Sequence, residues 1–238
     1  MSNLDRNSVA RGSFGADRAV TIDAGLRAYM IRVYNYMAIG VAATGIVAYL
    51  TSQIMGPALL QSPLIWVFIL APLALVFVIS FGINRLSAGM ALTLFFVYAA
   101  SMGLSTATIF FAYTDTSIAR TFFVAAASFG ALSLYGYTTQ RDLSPIGSFL
   151  IMGLFGLLIA MLVNIFLKSS GLDFVISAAG VLIFAGLTAW DTQKIKEMYN
   201  VNDDGTVSGR KTVMGALTLY LDFINLFMFL LRFLGDRR

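Results

Sequence analysis

Seven long apolar segments are the feature that most constrains how this chain can fold. Each is near or above the length of about 20 residues that a helix needs to cross a bilayer. They cover residues 29–51, 64–83, 88–113, 119–137, 146–167, 173–199 and 213–234. Of the 238 residues, 58% are hydrophobic and only 12% are charged, which is too apolar for a water-soluble core. We therefore predict an integral membrane protein.

The pattern of the segments predicts helices rather than strands. None of them alternates strictly between apolar and polar residues, as a strand in a membrane barrel would. Ser144-Pro145 is typical of a helix start, with Ser144 as the N-cap and Pro145 at the first helical position. The fold class predicted here is all-α, a bundle of seven transmembrane helices over residues 26–238. A polar, disordered cytoplasmic tail is predicted over residues 1–25.

The distribution of Lys and Arg predicts the orientation of the bundle. Eleven of these residues share the side of the N-terminus: Arg6, Arg11, Arg18, Arg27, Arg32, Arg85, Arg141, Lys194, Lys196, Arg210 and Lys211. Five lie on the other side: Arg120, Lys168, Arg232, Arg237 and Arg238. Since cytoplasmic loops carry the excess of positive charge, we predict a cytoplasmic N-terminus.

Missing residue types and charge patterns exclude several functions. The chain has no Cys and no His, which rules out disulfides, thiol catalysis and zinc sites built from Cys and His. It has no basic patch with interleaved aromatic residues, so we expect no nucleic-acid partner. No motif for a cofactor is present, and we expect none to be bound.

Two aspartates lie inside the apolar segments. Asp222 stands in LTLYLDFINLFMFLLRF, and Asp191 stands in LTAWDTQKIKEMY. An ionisable group within a spanning helix is costly and is a functional hypothesis by default. A second interpretation of Asp191 stays open, because it is close enough to a helix end to be an inert, solvated residue.

Simple geometry predicts that the two aspartates meet. The sixth and seventh spans are joined by a short loop and should be antiparallel neighbours. If the seventh helix begins near Val213, Asp222 lies about 14 Å along it. Asp191 reaches the same depth if the sixth helix continues to about Asn200.

Each aspartate also belongs to a stripe of small and polar residues on one helix face. The stripe on the seventh span holds Thr218, Asp222 and Asn225, and the stripe on the sixth holds Ser177, Gly180, Thr188 and Asp191. Such stripes let helices approach and form hydrogen bonds. Thr188, Thr218 and Asn225 are therefore predicted to support the pair, with helix packing as the simpler alternative.

Two carboxylates in a medium of low dielectric cannot both ionise at little cost, and such pairs commonly share a proton. The pair could also accept a hard cation such as Ca²⁺, which prefers oxygen ligands. Arg85, in the loop after the second span, is a candidate partner that could compete for one carboxylate. The alternative for Arg85 is an ordinary anchor at the membrane surface.

Several stretches resemble the Bax inhibitor-1 family over about residues 25–235. They are LTAWDTQKIKEMY, GALTLYLDFINLFMFLLRFLG, NRLSAGMALTLFFVYAASMGLSTATIF and YTTQRDLSPIGSFLIMGLFGLL. The resemblance implies a pH-sensitive calcium leak channel with Asp191 and Asp222 as the gating pair and Arg85 as an alternative partner. It implies a multi-pass protein of the bacterial inner membrane, or else of a eukaryotic endomembrane. The linker NVNDDGTVSGRKT departs from the pattern by being longer than in compact bacterial members.

Other functions compete with the channel. A non-conducting interaction protein that modulates a membrane protease or a stress response is the main alternative, and some bacterial members of the family resemble such modulators. Paired aspartates also occur in intramembrane proteases, but this seventh span has LYLD where those enzymes carry GxGD. We therefore expect no enzymatic activity. A retinal protein is disfavoured because the seventh span has no Lys in its middle.

Overall fold

A computed structural model describes residues 24–58 and 62–238 of the chain. The disordered tail predicted over residues 1–25 lies, except for its last two residues, outside the described residues, and it stays a prediction. Tyr113 and Arg237 form an isolated bridge, and the described residues contain no β-strand. The prediction of an all-α fold is confirmed.

The α-helices that the structure describes follow one another with short connections. They are α1 (Asn3–Met55, of which the described part begins at Ala24), α2 (Leu64–Gly82), α3 (Ala88–Thr106), α4 (Ile109–Ala112), α5 (Asp115–Thr138), α6 (Ser144–Leu167), α7 (Ser170–Glu197) and α8 (Gly205–Leu234). The short α4 continues the span begun by α3. Seven spans of the described residues are long and apolar enough to cross a membrane, as predicted.

The helix α8 occupies the centre of the bundle. It packs against α1, α3, α5 and α7, while α6 packs on α7 and α2 packs on α3. Most side chains of α8 are buried, whereas those of α2 and α6 mostly face outward. Small residues allow close approach inside the bundle: Gly136 of α5 lies against the backbone of Ala189 in α7, and Gly180 of α7 lies against the ring of Phe229 in α8.

The start of α8 lies eight residues before the predicted position of Val213. The side chain of Asp204 accepts a hydrogen bond of 2.7 Å from the backbone N–H of Val207, so it caps the helix at Gly205. The first turns of α8 are also held to the α2–α3 loop, since Arg210 Nε donates to the Leu86 carbonyl over 2.6 Å. A stretch that looked like a linker is therefore the first part of the helix.

The predicted role of Ser144 as an N-cap is wrong. Ser144 is already the first residue of α6, and its backbone N–H donates to the Asp142 carboxylate over 2.8 Å. This hydrogen bond lowers the pKa of Asp142. The carboxylate therefore stays charged at pH values where an ordinary aspartate begins to take up a proton.

The connections define two faces of the bundle. The N-terminal face holds the loops α2–α3, α5–α6 and α7–α8, and the C-terminal face holds the others. On the C-terminal face, the last residues of the chain dock across the start of α5. Asp236 accepts a hydrogen bond from Thr114, and Arg238 pairs with Asp115 at 2.8 Å. The assignment of the N-terminal face to the cytoplasm stays a prediction.

Candidate functional site: a carboxyl pair between α7 and α8

The structure brings Asp191 and Asp222 together. Asp222 of α8 is buried, with 4% of its surface exposed, and Asp191 of α7 is partly exposed beside it. Their carboxyl groups lie within hydrogen-bonding contact. Because an ionised carboxylate only accepts hydrogen bonds, a bond between the two forms only when one of them holds a proton.

The antiparallel packing of α7 and α8 sets this meeting point. Ile195 of α7 lies against Gly215 of α8, and Phe229 of α8 lies against Gly180 of α7. The aspartates fall between these two contacts. Asp191 precedes the end of α7 at Glu197 by six residues. The end of α7 and the start of α8 differ from the predicted bounds, but the two helices pack antiparallel as predicted.

The surroundings of Asp222 supply no other partner. Its atom Oδ2 is buried and receives no hydrogen bond from any donor among the described residues. The cation that acts on Asp191 is Lys194 of α7, which is exposed and stands over the Trp190 ring at 5.0 Å. A buried carboxyl group without a donor is most stable when it is neutral.

The structure does not bring Arg85 to the pair. It ends the short 3-10 turn Ile83–Arg85 and is exposed at the N-terminal face. The role of Arg85 as an alternative partner therefore stays a prediction, and the cation that acts on Asp191 in this conformation is Lys194.

Two of the three predicted supporting residues, Thr188 and Asn225, form side-chain hydrogen bonds within their own helices. Thr188 is fully buried and donates to the Phe184 carbonyl over 2.8 Å. Asn225 donates to the Leu221 carbonyl over 2.8 Å. Thr218 is half-buried on the same helix as Asn225. The bonds of Thr188 and Asn225 fit the packing interpretation of these stripes.

Sequence reasoning missed the two residues that follow Asp191. Thr192 is fully buried, and its hydroxyl lies 2.9 Å from that of Ser133 in α5. Ser133 in turn lies 2.6 Å from the hydroxyl of Tyr34 in α1. These three hydroxyls link α1, α5 and α7 at the residue that follows Asp191. The available signal was a polar residue placed directly after an aspartate in an apolar span.

The second missed residue, Gln193, clamps the α5–α6 loop. Its Nε2 donates to the Arg141 carbonyl over 2.8 Å, and its Oε1 accepts from the Leu143 N–H over 2.9 Å. Lys196 adds a third tie, since its ammonium donates to the Tyr137 carbonyl over 2.9 Å. The end of α7 is therefore fixed to α5 and to the following loop directly after Asp191.

The pair by itself is a poor resident site for a metal. Ca²⁺ takes six to eight oxygen ligands in proteins. Across the part of the chain that the structure describes, no three side chains of Asp, Glu, His or Cys converge on one point. Asp191 and Asp222 can hold a proton between them or give a passing cation brief contact.

The fold and this site define a class: a polytopic helical membrane protein with a carboxyl pair buried between its last two spans. A family model described as "Inhibitor of apoptosis-promoting Bax1" matches residues 26–238. The chain belongs to the Bax inhibitor-1 family.

Relatives in bacteria cover nearly the whole chain. The inner membrane protein YbhL of Escherichia coli K12 is 46% identical over 228 residues, which are 94% of this chain and 97% of the relative. The Rickettsia prowazekii protein RP147, described only as uncharacterized, is 49% identical over 92% of this chain and 93% of its own length. A Caulobacter vibrioides protein is 43% identical over 95% and 96% of the two chains. With the seven spans, these relatives indicate a multi-pass protein of the bacterial inner membrane.

Proposed function

We propose that this protein is a pH-sensitive leak channel for Ca²⁺, gated by the carboxyl pair of Asp191 and Asp222. The observation that supports this proposal is the contact between these two groups inside the bundle. The hydrogen-bonded contact between the two carboxyl groups needs a shared proton, and the closed channel depends on that contact. Losing the proton therefore changes the state of the channel. The channel has no enzymatic activity and no bound cofactor in this proposal.

The energy at stake is large enough to move a helix. Two like charges 4 Å apart repel by about 4 kcal/mol at an effective dielectric of about 20. A shift of about 5.5 kcal/mol takes a two-state equilibrium from almost fully closed to almost fully open. Ionising both carboxyl groups therefore supplies most of what a conformational switch needs.

The position of the pair explains how a local change could reach the whole bundle. Asp222 lies on α8, the helix that packs against four others. Beyond Asp222, toward the C-terminal face, α8 buries several large side chains that include Phe223, Phe227 and Phe229. Because these side chains are packed inside the bundle in this conformation, conduction requires α8 or its neighbours to move. Repulsion at Asp222 acts on the helix that has to move.

Ca²⁺ flux into liposomes tests the proposal. We expect purified wild-type protein to admit Ca²⁺ to an enclosed dye, with a rate that changes between about pH 5 and pH 8. Asp222→Asn and Asp191→Asn preserve the size of the side chain but remove the shared ionisable group. Each variant should therefore lose most of the pH dependence of the flux.

Asp142→Asn is the matched control for these variants. It removes a carboxylate from the exposed α5–α6 loop while keeping an oxygen that can accept the Ser144 N–H. Its flux and pH profile should equal those of the wild type. Wild-type pH dependence in Asp222→Asn would show that this residue is not the gate.

If folded wild-type protein conducts no Ca²⁺ at any of these pH values, the proposal of a channel is overturned. The result would favour an interaction protein that modulates a membrane protease or a stress response. Cleavage of a transmembrane peptide by the wild type, lost in both aspartate variants, would instead revive the intramembrane protease.

A further inference from the structure

A cleft between α1 and α5 has no part in the proposed gating. It has a volume of about 660 Å³ and opens to the side of the bundle in the half nearest the N-terminal face. Its lining includes Arg27, Ile31 and Tyr34 from α1 and Gly130, Leu134 and Tyr137 from α5. We propose that this α1–α5 cleft binds an anionic phospholipid from the leaflet at the N-terminal face, with an acyl chain in the cleft and the phosphate at its mouth.

The walls of the cleft suit an acyl chain. Ile31 and Leu134 are exposed at 48% and 63%, and Gly130 leaves open space where a side chain would stand. The lining of the cleft is mainly apolar, so water within it finds few hydrogen-bond partners. An unfilled gap would lose dispersion contacts on both walls. Because the cleft opens sideways within the bilayer, a lipid chain is the apolar group that reaches it.

The mouth of the cleft suits an anionic headgroup. Arg27 is exposed there, one turn before Ile31. The ammonium of Lys196 stands over the Tyr137 ring at 5.4 Å and uses one N–H on the Tyr137 carbonyl. An ammonium has three N–H donors, so two remain for a phosphate. Among the described residues, the lining of the cleft includes no Asp or Glu, and basic pockets between helices on the cytoplasmic side are typical sites for anionic lipids.

The size of the cleft argues against a protein occupant. From Arg27 to Tyr34 the cleft follows α1 for about 10 Å. A helix with its side chains is about 10–12 Å across, and this volume cannot enclose one over that length. The hydrocarbon core of a bilayer is about 30 Å thick, so one leaflet is about 15 Å thick. The cleft, at about 10 Å, is therefore long enough to hold most of one acyl chain.

Lipid retention in native mass spectrometry tests the site. Purified protein in detergent is mixed with phosphatidylglycerol or with phosphatidylcholine. We expect the wild type to retain one phosphatidylglycerol in preference to phosphatidylcholine. Gly130→Leu fills the cleft from a position where a Cβ meets nothing within 4 Å, so the fold should survive and both lipids should be lost. Arg27→Gln should keep an acyl chain bound but lower the preference for phosphatidylglycerol about fivefold.

Matched controls separate the cleft from the general lipid surface. Gly156→Leu adds the same side chain at an equally open glycine of α6, and Arg120→Gln removes an exposed cation from the other end of α5. Both should retain phosphatidylglycerol as the wild type does. Equal retention by Gly130→Leu, no preference between the two lipids, or a dimer of this chain without bound lipid would each overturn the proposal.

A measurement on the wild type removes any dependence on variant folding. Phosphatidylglycerol that carries a photoreactive group on its acyl chain should cross-link to peptides of α1 and α5 that line the cleft. Cross-links spread evenly over the lipid-facing helices α2 and α6 would contradict a defined site.

Discussion

At the scale of single residues, Gln193 is the side chain whose removal should have the clearest local effect. Its two hydrogen bonds hold Arg141 and Leu143 of the α5–α6 loop. Each is worth about 1 kcal/mol, so Gln193→Ala should make local opening of the loop at least tenfold more frequent. Trypsin should then cleave after Arg141 at least roughly tenfold faster in detergent. Gln140→Ala, in the same loop but exposed, should be cleaved at the wild-type rate.

The residue scale also shows what the sequence could and could not reveal. Asp191 and Asp222 could be paired in advance because they were the acids placed within apolar spans on neighbouring antiparallel helices. Gln193 could not, because its partners are backbone groups of a loop with no periodic pattern. The role of Arg85 stays a prediction, because charge alone does not say whether a loop residue points into a bundle or away from it.

At the scale of the element, the early start of α8 depends on one cap. Asp204 accepts from the Val207 N–H, and replacing such a cap by Ala costs about 1 kcal/mol. Asp204→Ala should therefore speed hydrogen exchange at the amides of residues 205–208 about fivefold. Asp204→Asn keeps an acceptor of the same shape and should exchange like the wild type. Unchanged exchange in Asp204→Ala would mean that the hydrogen bond of Arg210 to Leu86 and the 2.6 Å ion pair of Lys211 with Asp203 hold these turns without the cap.

Helix bounds were the least predictable feature of the elements, because single capping side chains such as Asp204 set them. Hydropathy reports which residues lie in lipid, so it located all seven spans. It does not report where a helix continues into water. There the bounds depend on capping side chains and loop contacts, as Asp142 shows at the start of α6 and Asp204 at the start of α8.

At the scale of the whole molecule, the C-terminal arginines bear on orientation. Arg232 and Arg237 lie 3.9 and 3.5 Å from Asp173, and Arg238 lies 2.8 Å from Asp115. These cations therefore serve contacts that close the C-terminal face. The N-terminal face still holds more Lys and Arg than the C-terminal face, so the positive-inside rule predicts that the N-terminal face is cytoplasmic.

The absence of cysteine from the sequence makes this orientation directly measurable. Thr116→Cys places a single thiol at an exposed position of the C-terminal face, and Asn202→Cys places one in the loop between α7 and α8. In intact right-side-out spheroplasts, an impermeant maleimide should label Thr116→Cys and leave Asn202→Cys unlabelled. After lysis both should react, which controls for access. The reverse pattern in intact spheroplasts would place the carboxyl pair nearer the outer surface, where external rather than cytoplasmic pH would control its proton.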